Sequence, residues 1–262
     1  MLVDSHCHLD FPEFADDMEN IVERAADVGV NHMLSICTYV TKFEQVLAVA
    51  KRYENIYCTV GIHPHNADKE PEITAEHLIR MAVDDKVIGF GETGLDFYYD
   101  KSPRDIQKRQ FRAHIEASRE IGLPLVVHTR DADDEMAEIL VEEMGKGAFT
   151  GLLHCFSSSR KLADTALELG LYLSISGIVT FKTADELRAI VRDVPLERLL
   201  VETDAPYLAP VPRRGKRNEP AFTRHTAEKI AEIKGLSLDE VAKVTTDNFF
   251  SLFSKANKAP ST

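Results

Sequence analysis

The chain has 262 residues, 44% of them hydrophobic and 28% charged, a balance that excludes a disordered or fibrous polymer. Its 31 Lys and Arg against 43 Asp and Glu leave a formal charge of −12, which argues against a protein that coats duplex DNA through a broad basic surface. The opening Met1-Leu2-Val3-Asp4-Ser5-His6 has no basic and apolar leader, no later run reaches the ~18 uncharged apolar residues of a membrane span, and Cys7, Cys37, Cys58 and Cys155 form no CxxC pair.

No membrane association is therefore expected, and a reducing cytoplasm fits best. In chain order the sequence predicts strand Leu2–His6, helix Ala15–Val28, strand His32–Ile36, helix Lys42–Arg52, strand Tyr57–Ile62 and helix Ala75–Ala82. Strand Val87–Glu92 follows, then helix Arg104–Ile121, strand Leu125–His128, helix Asp133–Met144, strand Thr150–Cys155 and helix Lys161–Leu169. Strand Leu171–Ser176, helix Ala184–Val194 and strand Leu199–Thr203 come next, and helices Thr223–Lys234 and Leu238–Ser254 end the pattern. In the longest of these helices Phe111, Ile115 and Ile121, with small Ser118 between the last two, recur near helical spacing, whereas Val87-Ile88-Gly89-Phe90 is an apolar run of the kind buried on both faces. Eight alternating βα units predict an α/β fold, a (β/α)8 TIM-type barrel forming one domain over 1–253, with Ser254–Thr262 as a frayed tail. A doubly wound open sheet is the competing architecture, but it lacks the GxGxxG turn and would gather its ligands at one switch point.

His6-Cys7-His8 directly after the first strand is a chelating pattern, because side chains alternate in extended chain and two residues apart share a side. A lone His-x-His carries little weight, since a histidine is more often a satisfied polar group. The strand assignment adds weight: Glu92 ends strand four, His128 strand five and His154 strand six, and Asp204 follows strand eight. In a barrel these C-terminal ends converge on one face, where active sites are built. Four imidazoles and two carboxylates exceed the four ligands of a closed structural zinc site and suit two ions ~3.5–4 Å apart, bridged by a carboxylate such as Glu92. Mixed donors of this kind suit zinc, manganese, cobalt or nickel, with magnesium held more weakly. Asp204 is placed to bind one ion and to take a proton from water, so Glu92 and Asp204 are the catalytic candidates.

The runs Asp4-Ser5-His6-Cys7-His8-Leu9-Asp10, Gly61-Ile62-His63-Pro64, Gly91-Glu92-Thr93-Gly94-Leu95-Asp96, Val127-His128-Thr129-Arg130, His154-Cys155-Phe156-Ser157 and Glu202-Thr203-Asp204-Ala205-Pro206-Tyr207 together resemble the TatD-related deoxyribonucleases. The resemblance continues through Arg214-Gly215-Lys216-Arg217-Asn218-Glu219-Pro220 and covers nearly the whole chain. It implies an amidohydrolase-type barrel that cleaves phosphodiesters in DNA with divalent metals, a 3′-5′ exodeoxyribonuclease on single-stranded or frayed ends with no obligate protein partner. It further implies that His6, His8, Glu92 and Asp204 hold one metal and Glu92, His128 and His154 the other. Related amidohydrolases often bridge their metals with a modified lysine at the fourth strand, where this chain has Glu92.

His63 reads equally as a substrate or supporting group and as an imidazole that holds its turn. Arg130 and the Arg214–Arg217 cluster suit phosphate oxygens, against the general expectation of a solvated charge run; position after strand eight favours the phosphate role for Arg214 and Lys216. Phe97, Tyr98 and Tyr99 could stack on bases, with core packing the preferred reading. His32, His65, His77, His114 and His225 receive no role. Two rivals stand beside the nuclease: an amidohydrolase or esterase such as an aminoacyl-tRNA deacylase, and a non-catalytic nucleic-acid-binding barrel.

Overall fold

A computed structural model describes residues 1–256. Strands β1 (Leu2–Cys7), β2 (Val30–Ser35), β3 (Ile56–Val60), β4 (Val87–Asp96), β5 (Leu125–Arg130), β6 (Gly151–Leu153), β7 (Tyr172–Ile175) and β8 (Leu199–Val201) pair in parallel, each beside the next in sequence. Helices α1 (Met18–Asp27), α2 (Phe43–Arg52), α3 (Ala75–Met81), α4 (Arg104–Ile121), α5 (Asp133–Lys146), α6 (Arg160–Glu168), α7 (Asp185–Asp193) and α8 (Thr223–Lys234) surround them, and α9 (Leu238–Leu252) follows. This is the (β/α)8 barrel that the alternation predicts. The ring closes where Cys7 bridges Ala205 in parallel, the Asp204 N–H donates to the His6 carbonyl at 2.9 Å and the His8 N–H donates to the Ala205 carbonyl at 2.9 Å. Buried Asp4 reinforces this seam by accepting from the Thr203 N–H (2.9 Å) and hydroxyl (2.5 Å).

All eight strands contribute to the barrel interior, among them Val3, Leu34, Ile88, Val126, Leu152 and Leu200. Phe249 and Phe253, at the end of α9, pack against the same cluster. Asn248 of α9 donates to the carbonyls of Leu196 and Leu199, both at 2.8 Å, so this helix plugs the N-terminal end of the barrel and leaves the opposite end open. Because residues two apart share a strand face, the inward apolar positions Val126, Leu152 and Leu200 place His128, His154 and Glu202 above them at that open mouth.

α4 buries Gln107, Phe111, His114, Ile115 and Ser118. Ile121, expected to continue this stripe, is instead exposed in the last turn, where Gly122 at φ 74° ends the helix in the left-handed conformation. β4 runs four residues past its expected end at Glu92, since Thr93, Gly94, Leu95 and Asp96 continue the pairing with Val127 through Arg130. Gly94 permits that approach: a Cβ there would lie 2.0 Å from the His128 carbonyl oxygen. At the C-terminal end, Ala256 is buried and the Lys255 ammonium donates to the carbonyls of Ala82 (3.2 Å) and Asp84 (2.7 Å). Packing thus continues beyond 254, where a tail was expected; positions 257–262 of that tail lie outside the described residues. Among the described residues no helix is long and apolar enough to cross a membrane.

Candidate metal centre

At the mouth, the two carboxylate oxygens of buried Glu92 face different groups of imidazoles. On one side His6 Nε2 is 3.5 Å and His8 Nε2 4.0 Å from Glu92 Oε2, with Asp204 Oδ1 at 3.6 Å from His6 Nε2 and 3.4 Å from His8 Nε2. On the other side His128 Nδ1 and His154 Nε2 are each 2.9 Å, and His63 Nε2 3.2 Å, from Glu92 Oε1. The structure thus brings together His6, His8, Glu92, His128, His154 and Asp204, and adds His63 to the same cluster rather than to the outer rim.

The spacing within each imidazole pair tests whether this donor set fits a metal. His6 Nε2 and His8 Nε2 are 3.3 Å apart, and so are His128 Nδ1 and His154 Nε2. Two nitrogens bound to one tetrahedral ion at ~2.0–2.1 Å stand about 3.3–3.4 Å from each other, so both pairs have the bite of a single-ion chelate. His6–His8–Glu92 and His63–Glu92–His128 each gather three potential ligand atoms within 4.8 Å of one another. Mixed imidazole and carboxylate donors are what borderline divalent cations take.

Supporting groups fix these rings. Asp96, at the end of β4, accepts from His128 Nε2 (3.1 Å) and His65 Nε2 (2.7 Å) through one oxygen and from the Tyr99 N–H (2.8 Å) through the other. Glu202 faces His154 Nδ1 at 3.2 Å and accepts from the Cys155 N–H at 2.7 Å. Neither carboxylate was singled out from sequence, although each lies in a motif quoted above, Asp96 four residues after Glu92 and Glu202 two before Asp204. His65, given no role from sequence, is drawn in through Asp96 and donates its backbone N–H to His63 Nδ1 at 3.0 Å. Cys155 (φ 45°) and Asp204 (φ 58°) adopt left-handed backbone that costs a non-glycine residue about 1–2 kcal/mol; the Cys155 bond to Glu202 and the Asp204 bond to His6 hold them there.

Burial pushes the Glu92 carboxyl up, but His63, His154 and His128 around it prevail and hold it well below the usual carboxylate range. Burial also pushes His63 down to about 4, leaving a neutral imidazole with a lone pair to offer at pH 7. For His154 the carboxylates of Glu92 and Glu202 outweigh burial and raise it well above its ordinary value. Concentrated negative charge thus stands ready to hold positive charge, whether as protons or as a bound cation.

The other predicted positions lie further out. The Arg130 guanidinium sits over the faces of Tyr98 (4.1 Å) and Tyr99 (4.8 Å). Arg214 covers Phe181 at 3.9 Å and donates to the Ala209 carbonyl at 3.2 Å, and Lys216 is exposed in the same loop. Arg217 is turned away from the mouth, bonded to the Glu13 carbonyl (2.6 Å) and to Asp17 (2.7 Å). His114 is structural: Nε2 accepts from the Ile62 N–H at 3.2 Å and Nδ1 meets the Gln110 carbonyl at 2.7 Å.

Comparison with known proteins places the chain in a family. The family model described as TatD related DNase matches residues 3–254. The chain is 44% identical over 255 residues to the Uncharacterized metal-dependent hydrolase YcfH of Escherichia coli K12, covering 96% of this chain and 95% of that protein. It is 34% identical over 257 residues to the 3′-5′ ssDNA/RNA exonuclease TatD of Salmonella typhimurium, covering 96% and 98%. The solved structure of YjjV, a TatD homolog from Escherichia coli K12, superposes with a TM-score of 0.90 at 29% identity, covering 97% of this chain and 98% of that one. With a family model spanning nearly every described residue and relatives 44% and 34% identical over nearly their full length, the chain belongs to the TatD-related DNase family of metal-dependent hydrolases.

Proposed function

We propose that this protein hydrolyses phosphodiester bonds in DNA, removing nucleotides in the 3′-5′ direction from single-stranded or frayed ends, with two divalent metals at the barrel mouth. The observation that carries the reading is the pair of 3.3 Å nitrogen bites, His6 with His8 and His128 with His154, on opposite oxygens of Glu92. Bound there, divalent ions lower the pKa of water toward neutrality and polarise phosphoryl oxygens. Glu92, between the two groups of imidazoles, would serve both ions; His6, His8 and Asp204 would hold one, and His128 and His154 the other, with His63 beside them to meet a substrate oxygen. Asp204, whose side chain is 15% exposed at the open end, accepts the proton of the attacking water. Arg130, Arg214 and Lys216 on the rim hold phosphates of the strand by charge-assisted hydrogen bonds. The end-directed reading takes its support from the Salmonella relative's name, and the four free thiols suit a reducing compartment such as the cytoplasm.

The test is a parallel assay on oligonucleotides labelled at either end and on aminoacyl esters, with the parental protein, the chelated protein and Glu92→Gln. A ladder shortening from the 3′ end is expected, abolished by chelation, restored by an added divalent ion and at least ~100-fold slower in Glu92→Gln. Cleavage of the esters alone would favour a deacylase, and parental rates in Glu92→Gln would remove Glu92 from the chemistry.

A further inference from the structure

Tyr98 and Tyr99 follow β4 on the rim and are 56% and 50% exposed, whereas Phe97 beside them is buried. Core packing explains Phe97 and leaves the two tyrosines without such a purpose. Their placement is nonetheless fixed. The rings meet edge to face at 4.9 Å, and Arg130 from the end of β5 lies over both. The Tyr99 N–H is held by Asp96, the same carboxylate that contacts His128, and the Tyr99 ring lies 5.2 Å from that of His65. One buried carboxylate therefore sets the distance between a proposed metal ligand and an exposed aromatic surface.

We infer that Tyr98, Tyr99 and Arg130 form a nucleobase platform that seats the base next to the scissile phosphate; this rests on the phosphodiester reading above. Aromatic faces stack on any base, and tyrosine has few rotamers to lose on doing so. Arg130 completes the surface: its guanidinium lies over both rings, the residue is exposed, and a planar fork of this kind binds phosphate while it stacks on an aromatic face. Arg130 also lines a cavity of about 410 Å³ whose other walls include Asp131, Asp133 and Glu186. Away from Arg130 those carboxylates disfavour phosphate, so a phosphate on this side is held at Arg130 and the rest of the cavity suits base and sugar.

The experiment compares oligonucleotides whose terminal nucleotides carry bases with the same oligonucleotides made abasic there, for the parental protein, the Tyr98→Ala/Tyr99→Ala double variant and the matching double Phe variant. The parental protein is expected to show a roughly ten-fold lower KM for the base-bearing end. The Ala variant should lose that difference by raising KM on the base-bearing end alone, and the Phe variant should retain it. Equal parental KM values for the two ends, or an Ala variant that keeps the difference or weakens both substrates alike, would overturn the platform while leaving phosphodiester hydrolysis in place. A parental protein that cleaves neither DNA would instead overturn the hydrolysis reading, and the platform with it.

Discussion

Glu202 is fully buried and reaches the candidate metal centre through His154, whose Nδ1 it faces at 3.2 Å. The His154 ring stacks on that of His6 at 3.8 Å, and His6, His154 and Glu202 bring ligand-capable atoms within 4.8 Å of one another. A carboxylate behind an imidazole fixes its tautomer and raises its basicity, and removing such a partner typically costs ~10–100-fold in metal affinity. Glu202→Gln keeps the shape and loses the charge. Its activity should therefore require ~10–100-fold more divalent ion for half-saturation, with the parental rate approached at high metal; an unchanged metal titration would reduce Glu202 to a partner of the Cys155 N–H. The contrast with Glu92 shows what a sequence can disclose at this scale. His6 and His8 are legible because alternation in extended chain puts both on one side, and Glu92, His128, His154 and Asp204 are legible because each ends or follows a strand. Asp96 and Glu202 act through another residue, so only the register of β4 with β5 and the turn after β6 show what they touch. His63 and His65 fall in one turn, and its sequence does not say which ring faces the carboxylates.

The strands were legible for a related reason: their apolar runs are buried on both faces. Ends were less so: β3, β6 and β8 stop two residues early, β5 runs two residues on, and β4 departs furthest, because Thr93-Gly94-Leu95-Asp96 carries no apolar run to mark it. Contacts between helices have no such periodic signal. Glu143 on α5 is buried beside Arg112 and Arg119 of α4 and Lys146 of its own helix, accepting from Arg119 at 2.9 Å, from Lys146 at 2.8 Å and from Arg112. Burial pushes its carboxyl up, but hydrogen bonds from Lys146, Arg119 and Arg112 outweigh this and hold it below its ordinary value. A depressed folded-state pKa stabilises the fold at pH above the unfolded value, and this contribution is lost as pH falls through the folded one. Glu143→Gln leaves the cations facing a neutral amide and should cost about 2 kcal/mol at pH 7, lowering Tm by roughly 4–8 °C. Melting curves taken at falling pH should show the gap between parental protein and variant closing below about pH 4. A gap that is absent at pH 7, or constant with pH, would mean that the cluster is bonded but not stabilising.

At the scale of the whole molecule, the proposed substrate is a polyanion, and a chain of net charge −12 would have to grip it through few points. Arg217 is held by Asp17, and Arg24 by Asp17 and Glu219, so cations near the mouth are partly spent on the fold. Arg130, Arg214 and Lys216 remain as the proposed phosphate contacts. Each phosphate neutralised on a single strand contributes about −0.7 to the slope of log affinity against log salt, so three contacts give a slope of about −2. Raising KCl from about 50 to about 200 mM at fixed divalent metal should therefore raise KM for a single-stranded oligonucleotide roughly 20-fold, and Arg214→Ala should make the slope shallower by about 0.7. A slope near −5 would reveal a longer track of phosphate contacts than these three groups can make. A flat response would place recognition in the metals and the aromatic rim alone, where added salt screens little because the groups are in contact or uncharged. The measurement thus separates a protein that follows a strand along its backbone from one that seizes its end, and a slope near −2 is the outcome that the proposed end-directed reading requires.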